Sequence, residues 1–129
     1  MNDDILKFVE NDRFADYIGA KIIKVDIGYA VTKLDIEEKH LNGVNIVQGG
    51  VIYTLADYAF AVASNSKGFK TVGINSTISY FKSPKGKSIT AEAKEISSTR
   101  KICNYSIDVF DENNDLIANL NATGFVLYN

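Results

Sequence analysis

With 129 residues, 46% of them hydrophobic and 23% charged, the chain has the composition of an ordinary globular protein with a hydrophobic core, which excludes wholesale disorder. The formal net charge of −2 and the pI of about 5.3 provide no global positive field, so no nucleic acid partner is expected. The single cysteine, Cys103, cannot form an intrachain disulfide, and with the single histidine, His40, it supplies too few ligands for a structural zinc site.

The sequence carries no signal for export or membrane insertion. Its first residues, MNDDILKFVENDRF, are acidic and lack the basic-then-apolar layout of a signal peptide. No apolar run approaches the roughly 18 residues that a membrane-spanning helix needs. We therefore expect a soluble, cytoplasmic protein of one domain, residues 1–129, with no membrane partner.

The first predicted elements are a helix and a pair of strands. Residues 2–19 have four positions at helical spacing and predict a short amphipathic helix, with Asn2 or Asp3 as its N-cap. The positions at this spacing are Ile5, Phe8, Val9 and Asp12. The next segment, AKIIKVDIGYAVTKLDI, is rich in β-branched residues and predicts two strands joined at Gly28-Tyr29. A polar connection, EEKHLNGVNIVQ, follows.

The one long helix is predicted from Gly50 to about Ser66. Up to residue 63, only Thr54 and Asp57 in it are plainly polar. Because a helix that is hydrophobic on nearly every face must be covered on nearly every side, the rest of the chain has to wrap around it.

Four segments in the second half predict further strands, because they alternate partly with period two. They are TVGINSTISYF, KSITAEAKEI, KICNYSIDVF and LIANLNATGFVLY, and in the third of them Tyr105, Ile107 and Val109 face one way. The short segments between them, SPKGK, SSTR and DENND, have turn chemistry and predict an antiparallel meander. The sequence thus predicts an α+β fold, a long central helix wrapped by a curved antiparallel sheet of five to six strands.

Two adjacent glycines, Gly49 and Gly50, begin the long helix, although glycine costs roughly 1 kcal/mol inside a helix. At a helix start the first N–H groups lack internal partners, and without Cβ atoms a ligand can approach them closely. Such an end suits a phosphate or an oxyanion that develops during acyl transfer. The alternative is that both glycines only permit a tight turn or a close strand contact.

Asp57 is a carboxylate on an otherwise apolar helix. Since a buried charge without partners is very costly, Asp57 must be paired, hydrogen-bonded, or placed at a cleft or subunit interface. A purely structural interfacial Asp, held by backbone or hydroxyl donors, is the alternative. Asp57 shares a helix face with Gly50 but lies about 10.5 Å further along the axis, too far to act on a carbonyl bound at its own helix start. If the two cooperate, two chains meet, which predicts a homodimer with composite sites.

The stretch HLNGVNIVQGGVIYTLADYAFAVASNSKG resembles the signature of hotdog-fold acyl-CoA thioesterases of the phenylacetic-acid-degradation (PaaI-like) type. The family pattern runs from an Asn through a short loop to His-Gly-Gly and a helix bearing Leu-Ala-Asp. The resemblance continues through INSTISYFKSP and covers roughly residues 15 to 127. It implies the hotdog fold and hydrolysis of acyl-CoA thioesters, with a small aromatic or medium-length acyl group, without a metal or another cofactor. It also implies a homodimer that assembles into a tetramer.

The resemblance assigns roles to residues of this chain. Gly49 would supply the backbone N–H that polarises the thioester carbonyl, and Asp57 of the neighbouring subunit would be general base or nucleophile. Asn42 would position the attacking water or the thioester, while Gly50 and Thr54 would contact the substrate. Gln48 stands where the family usually has His; glutamine can hydrogen-bond there but cannot carry a charge. His40 is expected to be a solvated loop residue rather than a substitute.

The phosphates of CoA suggest basic residues near the mouth of the site. The candidates are Lys82, Lys85 and Arg100, with Lys87 and Lys101 beside them; solvated lysines that protect sheet edges are the alternative. Five aromatic residues are expected either to line an acyl pocket or to belong to the core: Tyr53, Tyr58, Phe60, Tyr80 and Phe81.

Two other functions remain open from the sequence. Gln48 favours a non-catalytic acyl-CoA-binding hotdog module, which would bind acyl-CoA without releasing a thiol. A hotdog dehydratase or hydratase would rely on a histidine paired with a carboxylate. This chain has no such histidine before the helix, which disfavours that function.

Overall fold

The computed structural model describes residues 3–127, and the burial of side chains from Lys7 onward. Its elements in chain order are the helices α1 (Asp3–Glu10), α2 (Arg13–Ile18) and α3 (Gly49–Asn65), a 3₁₀ turn at Glu38–His40, and the strands β1 (Lys21–Asp26), β2 (Tyr29–Asp35), β3 (Lys70–Tyr80), β4 (Ser88–Ser98), β5 (Ile102–Asp111) and β6 (Leu116–Leu127). In this part of the chain, no helix is long and apolar enough to cross a membrane.

The strands form one antiparallel six-stranded sheet in the order β1-β2-β4-β5-β6-β3. The predicted meander is confirmed for β4, β5 and β6, but it is wrong for β3. That strand pairs with β6 at one edge of the sheet, so residues 81–87, which include SPKGK, cross over two strands instead of closing a hairpin. Turn chemistry marks where the chain changes direction, whereas the neighbour a strand selects depends on the whole sheet.

Helix α3 packs into the concave face of the sheet, as predicted. Its residues Leu55, Ala59 and Val62 are fully buried, and Thr32 of β2 donates a hydrogen bond from its hydroxyl to the Leu55 carbonyl at 3.1 Å. The predicted alternation of β5 is also confirmed, since Tyr105, Ile107 and Val109 are buried while the residues between them are half-buried. The α+β hotdog architecture expected from the sequence is therefore the observed one.

The N-terminal prediction of one helix is wrong, because the structure has two. Asp12 is not part of an apolar helix face: it is the N-cap of α2, and its Oδ1 accepts a hydrogen bond from the Ala15 N–H at 3.0 Å. Gly19, with a φ of +84°, ends α2 in the left-handed conformation that glycine favours. Of the two expected caps of the first helix, Asn2 lies outside the described residues and Asp3 is its first residue.

Candidate active site

The start of α3 is held by hydrogen bonds from its own chain. Gln48 is the N-cap, and its Oε1 accepts a hydrogen bond from the Gly50 N–H. The Gln48 N–H donates to the His40 carbonyl at 2.9 Å. A Cβ atom at Gly50 would lie 2.7 Å from the Gln48 Oε1, so a larger residue there would displace the Gln48 side chain from its capping position.

Gly49 is glycine because a tyrosine lies directly against it. The Tyr80 hydroxyl donates to the Gly49 carbonyl at 2.9 Å, and a Cβ at Gly49 would lie 3.2 Å from the tyrosine ring. Neither Gly49 nor Gly50 has a positive φ, so close approach and not backbone conformation calls for glycine. Among residues 3–127 the Gly49 N–H has no hydrogen-bond partner, which leaves this first donor of the helix available to a ligand.

Asn42 organises the loop before the helix. Its side-chain Oδ1 accepts from the Val44 N–H at 3.0 Å and from the Ile46 N–H at 3.3 Å, and its own N–H donates to the Ile46 carbonyl at 2.8 Å. A cavity of about 290 Å³ contains Asn42 and Gly49 in its wall, together with Ile46, Val47, Ile52, Tyr80, Phe81, Lys82, Ser83 and Pro84. The loop asparagine therefore faces the same space as the helix start.

His40 is buried, with only 1% of its surface exposed, so the prediction of a solvated loop histidine is wrong. Its Nδ1 accepts a hydrogen bond from the Glu37 N–H at 2.8 Å, which makes Nε2 the donor to the Ile18 carbonyl at 2.7 Å. The ring thus joins the end of α2 to the loop that carries Asn42 and Gln48. The buried ring therefore connects these two segments. Its position in a polar stretch of the sequence did not indicate that it is buried.

Asp57 lies two turns after the helix start, where the single chain leaves it accessible to solvent. It makes no hydrogen bond or ion pair with any described residue. It lines a second cavity of about 290 Å³ with Tyr53, Phe60, Gly73, Ile74, Asn75, Ser76 and Ala122. The β3 wall of this cavity contains an irregularity in the pairing with β6 between Gly73 and Asn75, a bulge of the kind that often occurs next to active sites.

The surroundings of Asp57 favour its protonated form. Desolvation by the neighbouring protein atoms raises the pKa of the Asp57 carboxyl above its ordinary value, and the negative charge of Asp12 raises it further. A carboxylate without donors and with a raised pKa is a better proton acceptor than an ordinary surface aspartate. The donors of the purely structural alternative are missing from the described part of the chain.

Within one chain, the predicted catalytic groups do not meet. Gly49 and Asp57 are separated by about 12 Å along the helix axis, and they line different cavities. Gln48, Gly50 and Thr54 line a third and larger cavity of about 570 Å³, and the Thr54 hydroxyl donates to the Gly50 carbonyl at 2.7 Å. The helix start therefore offers a donor and two adjoining cavities, and the acid lies beyond them.

The three basic candidates are spread over the molecule. Lys82 borders the cavity with Asn42, but its ammonium is 2.7 Å from an Asp115 carboxylate oxygen. Lys85 is exposed in the 81–87 connection. Arg100 follows Ser98 and Thr99, which line a cavity with Ser64 and Lys67 at the opposite end of α3. Of the three candidates, only Lys82 thus lies beside the helix start, where Lys39, which was not among them, lines the larger cavity.

Sequence reasoning missed two contacts made by tyrosines. Tyr80 was expected only as a lining or core residue, yet its hydroxyl fixes the Gly49 carbonyl. The Tyr53 hydroxyl lies 2.5 Å from the Ser76 Oγ and so connects α3 to β3. No local signal announces either contact, because both join residues that are more than 20 positions apart. In residues 3–127, no three His, Cys, Asp or Glu side chains form a group that could hold a metal ion.

Comparison with known proteins identifies the family. Residues 44–118 match the thioesterase superfamily. The chain is 38% identical over 110 residues to an Archaeoglobus fulgidus protein with a provisional esterase name, covering 84% of this chain and 71% of the relative. It is 33% identical over 110 residues to the acyl-coenzyme A thioesterase PaaI of Escherichia coli, covering 84% and 79%.

The fold agrees with this sequence similarity. The structure of the Escherichia coli PaaI protein from the phenylacetic acid degradation operon superposes with a TM-score of 0.90 at 28% identity, covering 95% of this chain and 90% of that chain. The chain therefore belongs to the thioesterase superfamily, and it is a PaaI-like hotdog thioester hydrolase.

Proposed function

We propose that this protein hydrolyses acyl-CoA thioesters with a small aromatic or medium-length acyl group, at sites that two subunits build together. The observation that carries the proposal is the division of the site along α3. The Gly49 N–H and the Asp57 carboxylate, which have no hydrogen-bond partner among residues 3–127, lie about 12 Å apart on one helix, so neither can complete a site with the other in the same chain.

The edge of the sheet beside Asp57 suits a second copy of the chain. Among residues 3–127, strand β3 pairs only with β6, and its other edge presents backbone groups without a strand partner. Val72 and Ile74, on this strand, are 45% and 55% exposed although they are apolar. A two-fold dimer across this edge would cover them and would bring each Asp57 toward the helix start of the partner subunit. Further pairing of dimers into a tetramer is part of the same proposal.

In the proposed reaction, the Gly49 N–H donates to the thioester carbonyl oxygen and stabilises its negative charge as the tetrahedral intermediate forms. Asp57 of the partner subunit takes a proton from the attacking water, whose oxygen bonds to the carbonyl carbon. The C–S bond then breaks, the acid is released, and the CoA sulfur leaves as a thiolate that takes the proton held by Asp57, which regenerates the carboxylate. Direct attack by the carboxylate, followed by hydrolysis of the anhydride, is the variant of this step in which Asp57 is nucleophile.

The remaining groups have supporting roles in this proposal. Asn42 and the amide nitrogen of Gln48 orient the thioester or the water, and Gly50 and Thr54 line the acyl side of the helix start. Lys82 would attract CoA phosphates if Asp115 yields its ion pair, and Lys85 and Arg100 would act from the surface or across a subunit contact. No step in the proposed reaction needs a metal or another cofactor.

The first experiment measures thiol release from a panel of short, medium-length and aromatic acyl-CoAs, for the wild type and for Asp57→Asn. We expect hydrolysis by the wild type and a collapse in the variant, with the panel ranking the acyl groups. Asparagine keeps the shape of the side chain and removes its basicity. Unchanged hydrolysis by Asp57→Asn contradicts the proposed mechanism, and saturable binding without thiol release by the wild type contradicts the proposed activity.

A second experiment tests whether the site is shared between subunits. Gly49→Pro removes the N–H donor at the first helical position, where the fixed φ of proline suits a helix, and Gln48 already has the extended backbone that precedes proline. The Tyr80 ring has to shift by a few tenths of an ångström to admit the proline Cβ. Subunits with Gly49→Pro and subunits with Asp57→Asn should each be inactive alone. Mixed in equal amounts and allowed to exchange, they should recover about a quarter of the wild-type activity, because half of the dimers contain one intact site. No recovery after verified exchange contradicts the composite site.

A further inference from the structure

Tyr53 lies between two cavities that belong to different parts of the site. On one side is the cavity of about 570 Å³ at the helix start, which also contains Gln48, Gly50 and Thr54. On the other side is the cavity of about 290 Å³ that contains Asp57. Tyr53 is the residue of α3 that lines both of them, so its ring separates the two spaces within the chain.

The Tyr53 side chain is held in this position. Its hydroxyl makes a hydrogen bond of 2.5 Å with the Ser76 Oγ on β3, and the residue is half-buried. A tyrosine ring tied at its far end to a strand has little freedom to rotate out of the way of a ligand. It therefore forms a fixed wall, unlike a flexible aliphatic side chain.

The larger cavity is the better place for an acyl group. Three further aromatic side chains line it, Phe14, Tyr17 and Tyr80, together with the apolar Ile18, Leu41 and Val51. The cavity that contains Asn42 and Lys82 has these two polar side chains in its wall, and they suit the amide-containing arm of CoA. An acyl chain that starts at the Gly49 N–H and enters the larger cavity has Tyr53 in its wall.

The position of Tyr53 along the helix supports the same assignment. It is midway between Gly49 and Asp57, so a two-fold axis that brings these residues together across a dimer passes beside it. The cavity behind Tyr53 would then belong to the second site of the dimer. A wall at this position keeps the acyl group of one site out of the other.

We propose that Tyr53 limits the length of the acyl group that this enzyme accepts. The inference rests on the proposed function. It adds a residue that determines specificity, and it predicts that loss of the ring shifts the preference to longer acyl chains. Removal of the ring joins the two cavities and opens about 290 Å³ of additional space. Each further methylene buried there is worth about 0.8 kcal/mol, or about fourfold in kcat/KM or in affinity.

The test compares kcat/KM for a series of straight-chain acyl-CoAs in the wild type, Tyr53→Ala and Tyr53→Phe. In the wild type we expect kcat/KM to rise with chain length and to fall once the chain reaches Tyr53. In Tyr53→Ala the optimum should move to longer chains, with a gain of about fourfold for each methylene beyond the wild-type optimum. Tyr53→Phe keeps the ring and should keep the optimum within one methylene.

A matched control is available on the other face of the sheet. The Tyr29 hydroxyl also makes a 2.5 Å hydrogen bond, to Glu92. The next residue, Ala30, is buried in the core, so Tyr29 is on the opposite face of β2. Tyr29→Ala removes the same side chain and the same kind of contact far from both cavities. An unchanged length optimum is expected in this variant, so a shift shared by both alanine variants would overturn the inference.

A binding measurement separates this inference from the proposed activity. Affinities of S-alkyl-CoA thioethers, which cannot be hydrolysed, should show the same shift of the preferred length in Tyr53→Ala. A wild type that hydrolyses no acyl-CoA refutes the proposed function, while the thioether series still decides the role of Tyr53. An equal loss for every chain length, with no shift in a folded Tyr53→Ala or Tyr53→Val, overturns the inference.

Discussion

The middle of α3 and the end of β5 each contain an aspartate, and the surroundings of the two carboxylates differ in opposite ways. Asp111 is 3% exposed, and its carboxylate accepts hydrogen bonds from the N–H groups of Lys85, Asn113 and Asp115 at 3.0–3.1 Å. Asp57 is more accessible and has no donor from the described chain. A buried charge that its own fold satisfies is structural, whereas an unsatisfied one on an apolar helix awaits a ligand or a partner.

The pKa shifts of the two carboxyls follow from this difference. Burial raises the pKa of Asp57 and its proximity to Asp12 adds to the effect. Burial also acts to raise the pKa of Asp111, but the N–H donors of Lys85, Asp115 and Asn113 and the charge of Lys82 hold it below its ordinary value. Hydrogen bonds to the charged form outweigh desolvation at Asp111, and no such bonds oppose desolvation at Asp57.

The largest expected effect comes from Asp57→Asn. We expect kcat to fall by about 10²–10⁴-fold, since the proposed general base is lost. The free energy of unfolding should stay the same or rise, because the variant removes a poorly solvated charge and no hydrogen bond. Thiol-release kinetics and urea unfolding measure the two quantities. If the variant loses stability as well as activity, Asp57 has a structural role and does not differ from Asp111 in the way described.

Asp111→Ala should have the reverse profile. Loss of the three N–H acceptor contacts should lower the free energy of unfolding by about 1.5–3 kcal/mol, as measured by urea denaturation. Since Asp111 is outside the cavities at the helix start, kcat/KM of the folded variant should stay within a few-fold of the wild type. A stable but inactive Asp111→Ala would show that the β5–β6 turn takes part in the reaction.

The same pair of residues predicts opposite effects of acid on stability. Because the folded-state pKa of Asp111 is lowered, its contribution is present above the unfolded pKa and is lost as pH falls through the folded pKa. The pKa of Asp57 is raised, so its contribution is present below the unfolded pKa and is lost as pH rises through the folded pKa. The acid loss of stability should therefore be smaller in Asp111→Asn than in the wild type, and larger in Asp57→Asn.

The side-chain oxygen of Gln48, like the carboxylate of Asp111, accepts a hydrogen bond from a backbone N–H of the same chain. Gln48→Ala removes the cap on the Gly50 N–H and should lower the free energy of unfolding by about 0.5–2 kcal/mol. Gln48→His, which restores the residue usual in the family, tests whether the position also serves the reaction. If the side chain orients the substrate, kcat/KM should change by more than the alteration in stability explains. If the wild type, Gln48→Ala and Gln48→His have equal kcat/KM, the role of Gln48 is confined to capping the helix.

The smallest expected effect concerns the influence of Asp12 on Asp57. Asp12→Asn keeps an N-cap for α2, because asparagine caps helices as well as aspartate does. Removal of the negative charge should lower the pKa of Asp57, so the acid limb of kcat/KM should move to lower pH. The matched variant Asp16→Asn lies on α2 without affecting the Asp57 pKa in this way and serves as the control. An acid limb that does not move would leave burial as the one cause of the raised pKa.

Much of the fold follows directly from the sequence. Between Val51 and Ala63 only Thr54 and Asp57 are plainly polar, which predicted a central helix covered by a sheet, and the structure confirms it. The alternation of Tyr105, Ile107 and Val109 fixed which face of β5 is buried. The spacing of Gly50 and Asp57 along one helix was also enough to predict that their cooperation needs two chains. These properties are local, or depend only on helical geometry.

Tertiary structure decided what depends on distant contacts. The edge position of β3 results from competition among all strands for the sheet, and the turn chemistry of SPKGK contains no information about it. The burial of His40 requires the end of α2, 22 residues away, to supply the carbonyl that accepts its hydrogen bond. The contacts of Tyr80 with Gly49 and of Tyr53 with Ser76 likewise join segments that only folding brings together. Sequence patterns specify which faces are buried, and packing across the whole chain determines which side chains meet there.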